Sequence, residues 1–286
     1  MGKYVILVES GADPTPELVE QYHLHVVPMH VQLGDITKED GTFPTEEVFE
    51  CFERTGVLPK TSASSVHDFE VAYDRLHAEY PDSRILYLAY SSVTTSSYQN
   101  GVLAAEDRDY VIPVDTMQVS GAQSMVAVLM AKYIEAHPDA TDEEVKAQAE
   151  KIRGKVHFSF IPGGLRYLKA GGRVKNSAYI AAKILSILPL IEIEDGYLIA
   201  TRKYRGPKEK IYLKYIKEYD DRWHFDRRLV FPCYGPGMPQ STHDKIQKTL
   251  EEMGFREIVW VQTGAVVSSH GGPGAFGLCG IEEEKK

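Results

Sequence analysis

The sequence predicts an α/β fold in two domains: a mostly parallel amino-terminal sheet with helices on both faces, and a carboxy-terminal α+β domain. The first observation is length, because 286 residues exceed what one hydrophobic core usually organises. The second is the alternation of short apolar runs with helix-like segments up to about residue 155, which is typical of a parallel sheet. The third is a change of pattern beyond that point, where a hairpin signal joins the helices. We therefore place the domains at residues 1–155 and 156–286.

Three apolar runs in the first domain predict buried strands. They cover residues 4–8, 84–90 and 111–114. Their hydrophobicity is continuous rather than alternating, which indicates strands that are buried on both faces. Residues 25–28 and 30–33 are predicted to be extended as well.

Capping residues mark the helices of the first domain. Ser65 and Thr141 are each followed three positions later by an acidic residue, which is the spacing of a capping box. The Thr141 helix is expected to run to Arg153. The other predicted starts follow a Thr or a Gly, at Thr15, Thr45 and Gly121, and Gly56 ends the helix that Thr45 opens.

The second domain mixes hairpins with helices. Asp195-Gly196 lies between two apolar runs and predicts a β-hairpin. A short helix is predicted from residue 165 and ends at Gly171-Gly172, and a helix over residues 180–188 is expected to stop before Pro189. The remaining predicted elements are strands at residues 156–161, 228–231, 258–261 and 276–281 and helices at residues 208–219 and 241–253.

Composition argues against several classes of function. The net charge of −9 disfavours nucleic-acid binding, and no apolar run approaches the length of a membrane-spanning helix. Cys51, Cys233 and Cys279 are far apart and odd in number, which argues against a disulfide framework and predicts a reducing cytoplasm. The basic segment at residues 202–217 predicts a solvated amphipathic helix, with a partner-docking face as the alternative.

Residues 84–101 carry the strongest functional signal. A buried strand is followed by SSVTTSS, and a helical pattern begins after Tyr98. Backbone N–H groups at a helix start lack intrahelical partners, and the helix dipole is positive there. Six hydroxyl side chains at such a turn predict a site for a carboxylate or a phosphate. Ordinary helix capping by one or two of them is the alternative.

Other motifs carry weaker signals. Gly171-Gly172-Arg173 combines backbone freedom with a fixed planar cation suited to an anion, and an ordinary helix end with a surface Arg is the alternative. His270 is expected to follow a strand, before a glycine-rich loop, and a structural role is the alternative. GPGAFG at residues 272–277 matches a dinucleotide pattern but has no room for the helix that must follow. The histidines at positions 23, 25 and 30 lack a carboxylate or cysteine to complete a site, so no metal is predicted.

Seven segments, taken in order along essentially the whole chain, resemble the DegV family. VESGAD at residues 8–13 is similar to the end of the family's first strand and its DS-x-x-D turn. TSASS at residues 61–65 is similar to the family's TSxPS segment, and SSVTTSSYQ at residues 91–99 is similar to its SSxLSGTYQ segment. VDT at 114–116 matches the DS after the next strand, and LRYLKAGGR at 165–173 is close to LxYLKKGGR. ILP at 187–189 and HGGPGA at 270–275 resemble IKP and HTGPGA.

The resemblance implies a fatty-acid-binding protein of bacterial phospholipid metabolism, with a long-chain fatty acid held between the two domains. The residues that match the family's carboxylate site are Thr61, Ser62, Thr95 and, through its backbone N–H, Ser96. His270 and Arg173 match residues near the head group that also engage a fatty acid kinase. The catalytic subunit of that kinase would supply the ATP chemistry, so this chain is expected to need no cofactor and not to be an enzyme.

The family pattern is not matched everywhere. The departures are Glu9 for Asp, Ser64 for Pro, Thr95 for Ser, Ser96 for Gly, Leu188 for Lys and Gly271 for Thr. The acyl tail is expected in an apolar tunnel lined by the predicted helices at residues 122–133 and 178–188. Two other functions remain open: a sensor of another small carboxylate with a small pocket, and a small hydrolase or phosphotransferase using Thr95 with His270 as its base.

Overall fold

The computed structural model describes residues 2–176 and 187–284, and its first half alternates strands and helices as predicted. The strands are β1 (Tyr4–Glu9), β2 (Leu24–Val27), β3 (His30–Leu33), β4 (Ile36–Glu39), β5 (Lys60–Ser62), β6 (Arg84–Ala89) and β7 (Val111–Asp115). The helices are α1 (Pro16–Tyr22), α2 (Glu46–Thr55), α3 (Val66–Glu79), α4 (Ser97–Ala104), α5 (Gly121–Ala136) and α6 (Asp142–Arg153).

Four of these strands form the predicted parallel sheet, in the order β2-β1-β6-β7. The strands β4, β3 and β5 form a separate antiparallel sheet in that order. Strand β5 was not predicted, because its three residues lie in a hydroxyl-rich segment without a run of apolar residues. Its pairing with β3 sets Thr61 opposite Val31.

Local hydrogen bonds explain where the helices begin. The Thr15 hydroxyl accepts from the Leu18 N–H at 3.3 Å, with Pro16 at the first helical position. Both predicted capping boxes are present, at Ser65 and at Thr141. These starts were predictable because a capping box depends only on residues close together in sequence.

The second half of the chain is built on a larger sheet. Its strands are β8 (Val156–Ile161), β9 (Ile187–Glu194), β10 (Tyr197–Arg205), β11 (Phe225–Tyr234), β12 (Glu257–Ile258), β13 (Val261–Gln262) and β14 (Phe276–Glu282). Its helices within the described residues are α7 (Leu165–Gly171), α8 (Lys208–Trp223), α9 (Gln240–Glu252) and α10 (Ala265–Gly271).

This seven-stranded sheet has the order β10-β9-β8-β14-β11-β12, with β13 also paired to β11. All its pairs are antiparallel except those of β11 with β12 and β13. The predicted hairpin joins β9 to β10, and Asp195 and Gly196 both have positive φ, at 49° and 80°. Positive φ at both central residues is what a tight two-residue hairpin turn requires.

Several predicted elements differ from the structure. The prediction of a helix over residues 180–188 is wrong at its end, because Leu188 belongs to β9. Residues 180–186 of that prediction lie outside the described residues. The helix predicted at residues 208–219 is confirmed as α8, but the basic segment expected to be helical from residue 202 is so only from Lys208, since Arg202 and Arg205 lie in β10. The structure has two short strands, β12 and β13, where a single strand was predicted at residues 258–261. His270, expected after a strand, lies in the last turn of α10.

One hydrophobic core connects the two halves. Met125 of α5 belongs to the same buried cluster as Phe158 of β8 and Phe231 of β11. The structure therefore confirms the α/β fold class, with a parallel sheet followed by a second, sheet-rich region. The boundary at residues 155 and 156 stays a prediction. Within the described part of the chain, no helix is long and apolar enough to cross a membrane.

Candidate functional site

A cavity lies between the loop after β6, strand β5, helix α10 and the large sheet. It comprises about 840 Å³ of empty space, part of which is open solvent. Its polar lining residues are Thr61, Ser62, Thr94, Thr95, Ser120, Arg173, Thr263 and His270. Its apolar lining residues include Met29, Val119, Phe158, Phe160, Leu198, Val266 and Phe276.

The cavity brings together nearly all the residues that the sequence singled out. Thr61, Ser62, Thr95, Arg173 and His270 all contribute to its lining, although they come from distant parts of the chain. Ser96 is not among the lining residues and is exposed at the start of α4. Their contact with a ligand stays a prediction.

The hydroxyl-rich turn after β6 is held in place by its own side chains and by the large sheet. The Thr94 hydroxyl donates to the Ser91 carbonyl at 2.9 Å, and Thr95 Oγ1 lies 3.4 Å from the Ser97 N–H. The Ser91 hydroxyl donates to the Gly196 carbonyl at 2.8 Å, at the tip of the β9–β10 hairpin. The turn therefore connects the two halves of the chain as well as lining the cavity.

A buried carboxylate, Glu9, supports this turn from behind. Its oxygens accept hydrogen bonds from the Tyr87 hydroxyl at 2.5 Å, the Tyr90 N–H at 3.0 Å and the Gln123 amide at 2.6 Å. Burial raises the pKa of Glu9 to about 7, while these three donors act to lower it. In the sequence, Glu9 stands out only as a departure from a family motif. In the structure, its hydrogen bond holds the backbone of Tyr90, a residue that lines the cavity.

His270 and Thr61 form a direct contact across the cavity wall. His270 Nε2 lies 2.9 Å from Thr61 Oγ1, although 209 positions separate the residues in sequence. Burial, with a smaller effect from the Arg173 cation, lowers the pKa of His270 to about 4. The imidazole is therefore neutral near pH 7. Its other ring nitrogen, Nδ1, is buried without a hydrogen-bond partner in the described residues.

Arg173 follows the glycine pair at the end of α7. Gly172 caps that helix with a φ of 64°, which favours glycine. The Arg173 guanidinium donates to the Gly171 carbonyl at 2.7 Å, and its side chain is exposed. The motif thus places a solvent-accessible cation at the cavity, next to His270.

Two buried carboxylates hold the other end of α10. Asp13 accepts from the Gly264 N–H at 2.7 Å and from the Ser120 hydroxyl at 2.5 Å. Asp40 accepts from the Ala265 N–H at 2.8 Å and from the Ser10 hydroxyl at 3.0 Å. Burial raises the pKa of both carboxyls. Sequence analysis missed this role, since both residues stand in turns, where an Asp is ordinary.

The apolar wall comes mainly from strands and loops. Phe158 and Phe160 of β8 lie with their ring centroids 6.0 Å apart, and Leu198 of β10 adds to the same lining. Among the described residues, this lining differs from the predicted wall of helices: residues 122–133 of α5 and Leu188 are absent from it, and Val119 and Ser120, which precede α5, take part. Residues 178–186 of that prediction lie outside the described residues.

The arrangement favours an anion attached to an apolar group. Several hydroxyls and one arginine supply donors, while the neutral imidazole adds no charge. The described residues contain no group of three or more His, Cys, Asp or Glu side chains that is arranged to hold a metal. The Thr95–His270 hydrogen bond that the alternative hydrolase or phosphotransferase would use is not formed among the described residues: His270 contacts Thr61, and Thr95 contacts Ser97.

This fold is that of a known class of proteins, and the chain belongs to the DegV family. The family model, described as "Uncharacterised protein, DegV family", matches residues 3–283. A "Fatty acid-binding protein" from Thermotoga maritima is 32% identical over 288 residues, covering 98% of each chain. A crystal structure of a DegV lipid binding protein from the same organism aligns with a TM-score of 0.83 and 28% identity, over 99% of this chain and 100% of that one. A DegV family protein from Thermus thermophilus, 24% identical, shares the fold with a TM-score of 0.87 over 98% of this chain and 100% of that one.

Proposed function

We propose that this protein binds a long-chain fatty acid, with the carboxylate at Thr61, Ser62 and Thr95 and the acyl tail against the apolar wall. The observation that carries the proposal is the cavity, which joins hydroxyl donors and a cation to buried aromatic and aliphatic side chains. A carboxylate taken out of water needs several donors, and the cavity supplies them. The name of the 32% identical relative supports the same ligand class.

The apolar wall supplies most of the expected affinity. Burial of a methylene stabilises by about 0.8 kcal/mol, so a tail of about 15 methylenes would contribute about 12 kcal/mol before losses. Immobilising the ligand and ordering side chains offset a substantial part of this gain. A small carboxylate would lack this contribution, which is why we favour the long-chain acid over a sensor of small carboxylates.

The first test is lipid extraction and mass spectrometry of the purified protein, together with its intact mass under native conditions. We expect about one fatty acid per chain, and the extract would report acyl length and saturation. Competition between palmitate and butyrate then separates the two ligand classes. A protein that stays empty with palmitate but binds butyrate would contradict the proposal and favour the small-carboxylate sensor.

We also propose that the bound acid is presented to the catalytic subunit of a fatty acid kinase, which forms the acyl phosphate. The family resemblance supports this step, as does the exposed Arg173 beside His270 at the cavity. The binding protein would itself need no cofactor and perform no catalysis. It would act in the cytoplasm, which is supported by three buried cysteines that are free thiols.

Arg173→Ala tests the partner step with purified kinase. We expect phosphoryl transfer to fall more than fatty acid affinity, because the exposed guanidinium is available to a partner. Arg166→Ala is the matched control, since Arg166 is an exposed arginine of α7, the helix that Arg173 follows, and it pairs with Glu53. Equal losses of transfer and affinity in Arg173→Ala would place Arg173 in the ligand site only.

A further inference from the structure

The two glycines at the end of α7 stand in different surroundings. Gly172 has a φ of 64° and open space on its side-chain side. Gly171 does not have a positive φ, so its backbone would accept any residue. A Cβ at Gly171, however, would collide with Nδ1 of His270 and lie 3.2 Å and 3.3 Å from Cγ and Cε1 of the ring. Gly171 is thus required because the imidazole beside it leaves no room for a Cβ, and Gly172 because the turn needs a positive φ.

The contact with Gly171 also determines which ring nitrogen of His270 carries the proton. Nδ1 is buried, has no hydrogen-bond partner among the described residues, and faces a Cα–H bond of Gly171. An unprotonated Nδ1 can accept weakly from the neighbouring C–H group. A protonated Nδ1 would be a buried donor without an acceptor. The proton therefore belongs on Nε2, the nitrogen that lies 2.9 Å from Thr61 Oγ1.

This tautomer has a consequence for Thr61. A hydroxyl has one proton to donate and can accept with its lone pairs. When Nε2–H donates to Thr61 Oγ1, the threonine accepts from the histidine and its own proton remains available to another group. Thr61 lines the cavity, so that proton can reach an anion bound there. In the opposite tautomer, the Thr61 hydroxyl would donate its proton to Nε2 of the imidazole. It would then present only a lone pair to the anion.

We propose that Gly171 is a positioning residue: it seats the His270 ring as the Nε2–H tautomer and so makes the Thr61 hydroxyl a donor to the ligand's anionic head group. The identity of the ligand rests on the proposed function, whereas the seating of the ring does not. Arg173 acts in the same direction, because its cation beside the ring disfavours a second proton on the imidazole.

The test compares Gly171→Ala with Gly172→Ala in the full chain. Alanine favours a helix over glycine, so Gly171→Ala should not weaken α7 by itself, while Gly172→Ala strains the positive φ without approaching His270. Nitrogen-15 NMR of the histidine rings in the ligand-free protein reports the tautomer. We expect Nε2–H in the wild type and in Gly172→Ala, and loss of that signature in Gly171→Ala.

Palmitate titration of the same proteins measures the consequence for binding. Loss of one hydrogen bond to a charged group predicts an affinity reduction of roughly tenfold or more in Gly171→Ala, and less than threefold in Gly172→Ala. The double variant Gly171→Ala with His270→Ala should bind as His270→Ala alone does, since removing the ring gives the new methyl group room. This non-additivity distinguishes positioning from a general loss of structure.

The outcomes separate the two proposals. An unchanged histidine tautomer in Gly171→Ala overturns this inference, whatever the palmitate affinity. Equal affinity losses in the two glycine variants, or additive losses in the double variant, also overturn it. A changed tautomer in Gly171→Ala, with no palmitate binding by any of the proteins including the wild type, supports the seating of the ring and refutes the proposed fatty acid ligand.

Discussion

The two ends of helix α10 are held to the first half of the chain in contrasting ways. At its start, the carboxylates of Asp13 and Asp40 accept hydrogen bonds from the Gly264 and Ala265 N–H groups. At its other end, His270 Nε2 lies 2.9 Å from the Thr61 hydroxyl, which lines the cavity and keeps its own proton for a ligand when Nε2–H donates to it. One end is thus saturated with hydrogen bonds, while the other retains unused capacity beside a cavity.

The difference separates anchoring from binding. Buried polar groups whose hydrogen bonds are complete contribute to stability and leave nothing for a ligand. Groups with spare donors at a cavity contribute less to stability and remain available to bind. Substitutions at the first end of α10 should therefore change the free energy of unfolding, and those at the second end should change ligand affinity or the pH dependence of stability.

The largest effect is expected at the saturated end. Asp40→Ala leaves the Ala265 N–H and the Ser10 hydroxyl without their acceptor, and each unpaired buried group costs about 1–3 kcal/mol. We expect the free energy of unfolding to fall by about 4 kcal/mol, measured by urea denaturation. Asp40→Asn is the control, because its amide oxygen can still accept from Ala265. A loss in the asparagine variant as large as that in the alanine variant would contradict this account.

A smaller effect on the free energy of unfolding is expected from the protonation of His270 as the pH falls. Its pKa is lowered to about 4 by burial and Arg173, and that of an unfolded histidine is about 6.5. Between these two pH values the native state therefore binds fewer protons than the unfolded state. The contribution of the neutral ring to the free energy of unfolding is complete above pH 6.5 and is lost as the pH falls towards 4. Relative to His270→Gln, the wild type should lose about 2 kcal/mol of unfolding free energy between pH 7 and pH 5.

Denaturation of both proteins at the two pH values checks this expectation. The comparison with His270→Gln is needed because Glu9, whose pKa burial raises to about 7, titrates in the same window with the opposite sign. Its contribution is present at low pH and lost as the pH rises through 7, in both proteins alike. A constant difference between the wild type and His270→Gln would show that His270 is not held neutral.

The smallest change in stability is expected at Thr95. Among the residues that the structure describes, its hydroxyl makes only long contacts of 3.4 Å with Ser97, so Thr95→Val should alter the free energy of unfolding by less than about 1 kcal/mol. Palmitate affinity should nevertheless fall about tenfold, because a donor to the carboxylate is lost. Thr95→Ser keeps the hydroxyl and should bind nearly as the wild type does. Unchanged affinity in Thr95→Val would remove Thr95 from the head-group site.

Sequence patterns predicted the fold well where the signal is local. The capping boxes at Ser65 and Thr141 and the hairpin at Asp195-Gly196 depend on residues within a few positions, and all three are confirmed. The prediction was wrong at Leu188, the last residue of a run with helical spacing, because Leu188 pairs with Tyr204 in a sheet. Short apolar runs suit a buried helix and a buried strand equally, so partner strands decide between them.

The sequence by itself determined which chemical groups the cavity would contain: the hydroxyls after β6, the glycine pair with Arg173, and His270. Only the tertiary structure decided how they act. It paired His270 with Thr61 rather than with Thr95, set Gly171 against the imidazole, and placed Asp13 and Asp40 at the start of α10. Contacts between residues so far apart in sequence depend on the packing of whole sheets, to which no local pattern is sensitive.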